Sequence, residues 1–181
     1  MPVLSLVIIT AGVLLAAAFA WRFGGAWWKY RGRRLVTCPE NQKPAGVTVD
    51  AGHAAATALN EKPDLRLSSC SRWPERAGCG QACLSQIEAA PEDCLVRNIL
   101  ARWYEGKNCA WCHRPIGEIH AVEAQPALLT AGKVSMEWGE VPADELMETL
   151  ATAQPLCFAC HIANKMKREH PELVIDRSRP F

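Results

Sequence analysis

Nine cysteines punctuate this 181-residue chain, at positions 38, 70, 79, 83, 94, 109, 112, 157 and 160. Four of them form two Cys-x-x-Cys pairs, each followed by His: NCAWCHRPIGEIH (108–120) and PLCFACHIANKMK (155–167). A Cys-x-x-Cys turn offers two thiolates to one ion, and two such turns complete the tetrahedron of a structural zinc site. On that reading Cys109, Cys112, Cys157 and Cys160 are metal ligands, and His113 and His161 are bystanders. The same string is also the attachment motif of a c-type haem, with two thioether bonds and an axial His. Cys109, Cys112 and His113 would then carry one haem, and Cys157, Cys160 and His161 a second. His120, His170, His53 or Met166 would supply the opposite axial ligands.

The other five thiols bear on the choice. Cys38 follows a candidate strand, Cys70 ends another, and Cys79 and Cys83 sit at the mouth of a short helix. Four thiols from three segments suit a second tetrahedral site at Cys38, Cys70, Cys79 and Cys83, so two zinc ions are expected. A competing set, Cys70, Cys79, Cys83 and Cys94, has spacing that could hold an iron–sulfur cluster. Cys94 otherwise reads as a small buried apolar residue. Nine is odd, so a pure disulfide framework would leave one thiol over.

Compartment separates zinc from haem. Pro2 to Trp21 is an apolar run without a charge, PVLSLVIITAGVLLAAAFAW. At about 1.5 Å per residue it covers the roughly 30 Å hydrocarbon layer. A signal peptide cleaved after AAAFA is the competing reading, but no Lys or Arg precedes the run, so the basic n-region is missing. After the run come Arg22, Lys29, Arg31, Arg33 and Arg34, interleaved with Trp27, Trp28 and Tyr30. Basic flanks stay on the cytoplasmic side and aromatic residues favour the interface. The expectation is a bacterial-type inner-membrane protein, single-pass, with its N-terminus out and its body in the cytoplasm. The basic stretch could also touch anionic lipid head groups. Haem attachment takes place on the opposite side, whereas cytoplasmic thiols stay reduced and available to metal.

The positioning elements follow from pattern. LVTC (35–38), GVTVD (46–50) and LRLSSC (65–70) read as strands, and GCGQACLSQIEAA (78–90) as a turn running into a helix. PEDCLVRNILARWYEG gives a long helix over 91–105, with Val96, Ile99, Leu100 and Trp103 on one face. GEIHAV (117–122) and KVSMEW (133–138) are expected to pair as a hairpin. PADELMETLATA (142–153) reads as a helix begun by Pro and acids. The second Cys pair opens a last helix, closed by Pro171. The sequence therefore divides into an anchor with interfacial aromatics (1–28), a basic juxtamembrane stretch (29–34), a Cys-rich α/β unit (35–106), a zinc module (107–170) and a tail (171–181). The fold class is α+β: one N-terminal transmembrane helix and a small, metal-stabilised body.

The order knuckle, hairpin, then helix with the second pair in its first turn resembles the treble-clef zinc-finger family. CAWCHRPIGE is similar to the first knuckle of its HNH-type members, and LCFACHIANK to their second pair. The resemblance covers 107–170 and implies zinc at Cys109, Cys112, Cys157 and Cys160. HNH nucleases also carry an acidic-His pair followed by Pro in the hairpin, and an Asn-containing segment before the second pair. Here the hairpin offers Glu118, His120 and a distant Pro126, and ATAQPL stands where the Asn segment belongs, so nuclease activity is not expected.

Other chemistry lacks its residues. No Gly-rich phosphate loop, Ser-His-Asp set or carboxylate pair is recognisable, and His53 stands alone. A net charge of +1 gives no basic surface for nucleic acid. The expected protein is non-catalytic: an accessory subunit or adaptor, partnered by the bilayer and other membrane subunits, with no small-molecule substrate. The alternatives are a membrane-anchored dihaem cytochrome and an iron–sulfur electron-transfer subunit.

Overall fold

A computed structural model describes residues 2–59, 62–73, 75–76, 78–117, 119, 126–130 and 134–173. It forms two compact units, Met1–Val96 and Arg97–Phe181.

The first unit begins with α1 (Pro2–Tyr30), whose apolar residues from Val3 to Trp21 are exposed. The helix is long and apolar enough to cross a membrane. Its last turns belong to the body. Arg22 Nη2 donates to the Ala58 carbonyl at 2.8 Å, and Tyr30 packs into the core beside Val36, Val47 and Ile87. Gly32 then turns the chain at φ +99°, a conformation that an L side chain resists.

Three antiparallel strands follow, β1 (Arg33–Thr37), β2 (Pro44–Val49) and β3 (Leu67–Cys70), with β2 in the centre. Alternation puts Val36, Ala45, Val47 and Val49 on the buried face. A bulge interrupts the β2–β3 ladder: Thr48 faces Ser69 and Val49 faces Leu67, so Ser68 is the additional residue. Between β2 and β3 lies α2 (Ala51–Thr57), which the sequence reading did not foresee. Asp50 caps it by accepting from the His53 N–H at 2.9 Å, the signal that marked the start. His53 is also not alone, since its Nε2 lies 2.9 Å from Asp64 Oδ2. A short helix, α3 (Leu84–Ala89), covers the buried face of the sheet through Ile87.

The expected helix 91–105 is shorter, α4 (Val96–Tyr104). Residues 94–95 are claimed by the edge of β1: Leu35 donates to the Cys94 carbonyl at 2.8 Å, and Leu95 bridges Arg34. Arg34 departs from its expected place in a lipid-facing basic stretch. It is fully buried, and its guanidinium donates to the Lys29 and Pro91 carbonyls.

In the second unit the central strand is β4 (Ala127–Leu129), flanked by β5 (Ser135–Glu137) and β6 (Gln154–Leu156), all antiparallel. The partner of β5 is thus β4. Of the strand expected at 117–122, residues 118 and 120–122 lie outside the described residues. All three residues of β4 are buried, so it carries no alternation to read. Between β5 and β6, α5 (Leu146–Thr152) turns Leu146 and Leu150 inward. The last long element is α6 (Phe158–Glu169), followed by a 3-10 turn at Pro171–Leu173. It is clamped to β5 through polar groups: Ser135 N and Oγ both donate to Asn164 Oδ1, and His161 Nδ1 lies 2.9 Å from Ser135 Oγ.

Candidate metal centre

The second unit brings its two Cys pairs to one point. The first pair lies in a tight turn closed at its base by a bridge between Asn108 and Pro115. Inside the turn the Cys109 N–H donates to the Arg114 carbonyl, and the His113 N–H to the Cys109 carbonyl, each at 2.9 Å. His113 closes it at φ +58°, a left-handed conformation that a non-glycine residue seldom takes. The Ala110 N–H donates to the Pro155 carbonyl at 2.8 Å, which ties the turn to β6. β6 ends at Leu156, so Cys157 stands at the N-cap of α6 and Cys160 in its first turn.

The four sulfurs of Cys109, Cys112, Cys157 and Cys160 all lie within 4.8 Å of one another. A tetrahedral zinc with Zn–S of about 2.3 Å has S···S edges of about 3.8 Å. The Cys112 and Cys157 sulfurs are 3.7 Å apart. A cage of these dimensions accepts one thiophilic ion, zinc or iron.

Hydrogen bonding prepares the cage for negative charge. The Cys157 N–H donates to Cys109 Sγ at 3.4 Å. Burial pushes the Cys109 thiol up, but the backbone N–H groups of Cys157, Cys112 and Trp111 and the Cys112 thiol overcome it, leaving it lowered to about 6. Burial, together with hydrogen bonds from the other three thiols, pushes Cys160 up to about 12. Of these two thiols Cys109 is thus the more readily ionised. An ion that replaces the shared protons with positive charge suits the arrangement. Cys109 is fully buried and Cys112 exposed, so the cage sits at the rim of a small core made by Cys109, Leu129 and Leu156.

The two His residues after the pairs do not join this cage. His113 is exposed on the turn, and His161 is 3 % exposed, held against Ser135. The Ser135 hydroxyl gives its proton to Asn164, so His161 Nδ1 is the donor to Ser135. That leaves His161 Nε2 buried without a hydrogen-bond partner among the described residues, 3.7 Å from Glu137 Oε1. His161 therefore pins α6 to β5, a role that spacing did not reveal. His120 lies outside the described residues; His170 is exposed near Glu172, with Nδ1 3.3 Å from Oε1.

In the first unit Cys38, Cys70, Cys79 and Cys83 line one pocket, together with Arg72 and Trp73. Among the described residues they do not form a set as tightly spaced as the other four. Burial pushes the Cys83 thiol up, and so do the neighbouring Cys70, Cys79 and Cys38. Cys94 does not line this pocket. Its Sγ lies 3.8 Å from the Gln86 carbonyl, and it packs against the core. Sequence reading singled out the thiols here and missed Arg72, Trp73 and Glu40, which the run SRWPER and the PE after Cys38 carry.

No protein-family model, no curated protein and no solved structure matches the chain.

Proposed function

We propose that this is a single-pass membrane protein whose C-terminal unit is a treble-clef-like module built on a structural zinc ion. Its role is non-catalytic, as an accessory subunit or adaptor beside a membrane complex. The observation that carries this reading is the four-cysteine cage: four protein thiols converge on one point and leave no open position for substrate or activated water. The order of elements, a Cys-x-x-Cys turn, the β4–β5 hairpin and α6 carrying the second pair, supports the treble-clef assignment. The exposed apolar length of α1 supports an anchor that crosses the bilayer over Val3–Trp21. The basic and aromatic residues after Trp21 support a cytoplasmic body. Arg31 stacks on Trp28 with its guanidinium 3.2 Å from the ring centroid, which concentrates a cation at the interface.

The same convergence weighs against two haems. Each haem would draw its own Cys pair apart and need an accessible axial His, whereas the two pairs meet and His161 is held inside the wall of the unit. A single iron in the cage is the reading that a spectrum would reveal.

The test is elemental analysis and absorption spectroscopy of the full-length protein, with a topology reporter fused after Phe181. A colourless protein containing zinc, found in the membrane fraction with a cytoplasmic C-terminus, is the expected result. A haem Soret band or an iron–thiolate spectrum would overturn the structural-zinc role. A translocated reporter would overturn the topology.

A further inference from the structure

The thiol pocket of the first unit is assembled by three local devices. Cys38 continues the buried face of β1, two residues beyond Val36, where the chain leaves the strand. Cys70 faces Val47 across the ladder and so shares its buried side. In a regular strand Cys70 and Leu67, three residues apart, would point to opposite faces. The bulge at Ser68 resets the alternation, so both face inward. Ser68 Oγ fixes the irregularity by donating to the Thr48 carbonyl at 3.1 Å. From the covering layer, Cys83 at the N-cap of α3 is 7 % exposed, and Cys79 precedes it by one helical turn's spacing in the loop. All four line the same pocket.

Two further groups of this pocket lack a purpose in a purely apolar core. Arg72 Nη1 lies 2.7 Å from Cys38 Sγ and 3.1 Å from Glu40 Oε2, and Glu40 is held in turn by Arg76 Nε at 3.0 Å. A guanidinium only donates, so its contact with Cys38 Sγ gives that sulfur a cationic donor, a partner that suits a thiolate. Trp73 lines the pocket as well, and its indole N–H is buried with no hydrogen-bond partner among the described residues. An indole N–H can only donate. Donors directed at thiolate sulfur are the usual outer shell of a metal–thiolate site.

We propose that the first unit holds a second four-thiolate centre for a thiophilic divalent ion, zinc by its donor set, ligated by Cys38, Cys70, Cys79 and Cys83, with Arg72 as its counter-cation. Four thiolates on a divalent ion leave a net charge of −2, and Arg72 offsets part of it at the Cys38 corner. Binding forms four metal–sulfur bonds and releases the thiol protons to solvent, with no change of oxidation state. The site is separate from the cage of the second unit, and neither needs the other. Cys94 stays outside it.

The experiment counts metal in full-length protein purified in detergent under reducing conditions. Wild type is expected to hold two zinc per chain. Cys70→Ser/Cys83→Ser should hold one, and Cys112→Ser/Cys160→Ser one, the two variants losing different ions. A wild-type count of one, abolished by Cys112→Ser/Cys160→Ser, would overturn the second centre and leave the first standing. A single ion lost only in Cys70→Ser/Cys83→Ser would support this centre and remove the other. Because serine pairs can unfold a unit, Arg72→Met, which keeps every ligand, supplies an independent reading. One of its two ions should leave to a chelator at least tenfold faster than in wild type. Unchanged release of both would overturn the counter-cation assignment.

Discussion

Replacing Cys109 by Ser tests what the cage does for the second unit. Cys109 is the fully buried thiol of the cage, and it clusters with Leu129 of β4 and Leu156 of β6. A serine oxygen is a poorer partner than a thiolate for a thiophilic ion, so the variant is expected to lose the ion. Structural zinc supplies about 10–16 kcal/mol to small finger domains at neutral pH. At about 0.05–0.15 kcal/mol per residue, a unit of the size of Arg97–Phe181 has a total margin of about 4–13 kcal/mol. The metal contribution is as large as the whole margin, so the metal-free unit should be unfolded or nearly so. Hydrogen exchange followed by mass spectrometry on the intact chain reads this by segment. Amides of Ala127–Leu129 and Gln154–Leu156 should exchange at least about a thousandfold faster, the equivalent of about 4 kcal/mol. Amides of β2 serve as the internal reference. If the ion is gone and β4 and β6 still exchange at the wild-type rate, the apolar cluster alone holds the unit and the reasoning fails.

Three more outcomes follow. Gly32→Ala should lower the stability of the first unit by about 1–3 kcal/mol, since φ is +99° and a Cβ there would stand 3.0 Å from Leu95 Cδ1; an unchanged denaturation midpoint would refute it. Arg34→Met should cost about 2–4 kcal/mol in the same measurement, because the Lys29 and Pro91 carbonyls each lose a buried donor. For pH, the metal-free cage obeys two opposite signs. Cys109, lowered to about 6, adds stability that is full above its ordinary value near 9 and lost as pH falls towards 6. Cys160, raised to about 12, adds stability that is present below 9 and lost as pH rises towards 12. The small folded population left in the metal-stripped unit should therefore be largest near pH 9, read by near-UV circular dichroism of the stripped protein; a flat profile between pH 6 and 12 would refute it.

Chemistry was more legible in this sequence than topology. Cys109, Cys112, Cys157 and Cys160 could be grouped from spacing, because a Cys-x-x-Cys turn is a local geometry and a metal needs two of them. α6 was readable from its N-cap cysteine to Pro171 for the same reason. β4 and β6 were not, since three buried residues carry no period and Pro155 argues against a strand. α4 lost its first turn to a tertiary contact: residues 94–95 pair with β1, and no helix propensity at Glu92 or Asp93 can report that. Arg34 was misplaced because a basic residue beside an apolar segment reads as interfacial, whereas two carbonyl acceptors inside the fold claim this one. His161 passed for a bystander because its role depends on Ser135 and Asn164, brought together only by the packing of α6 on β5. The register shift at Ser68 was equally invisible, and it decides which way Cys70 points.

The helix α1 passes from its apolar stretch into the core at Tyr30 without a break. With Val3–Trp21 in a bilayer, the remaining nine residues rise by only about 14 Å. The first unit would then be moored at the head-group level rather than tethered on a leash. Arg22 holding the Ala58 carbonyl also fixes the rotation of the helix about its own axis. In such a bilayer this unit would keep a fixed height and a fixed azimuth, because the helix that enters its core cannot swivel. A partner embedded in the same bilayer would then meet it at one latitude and on one side.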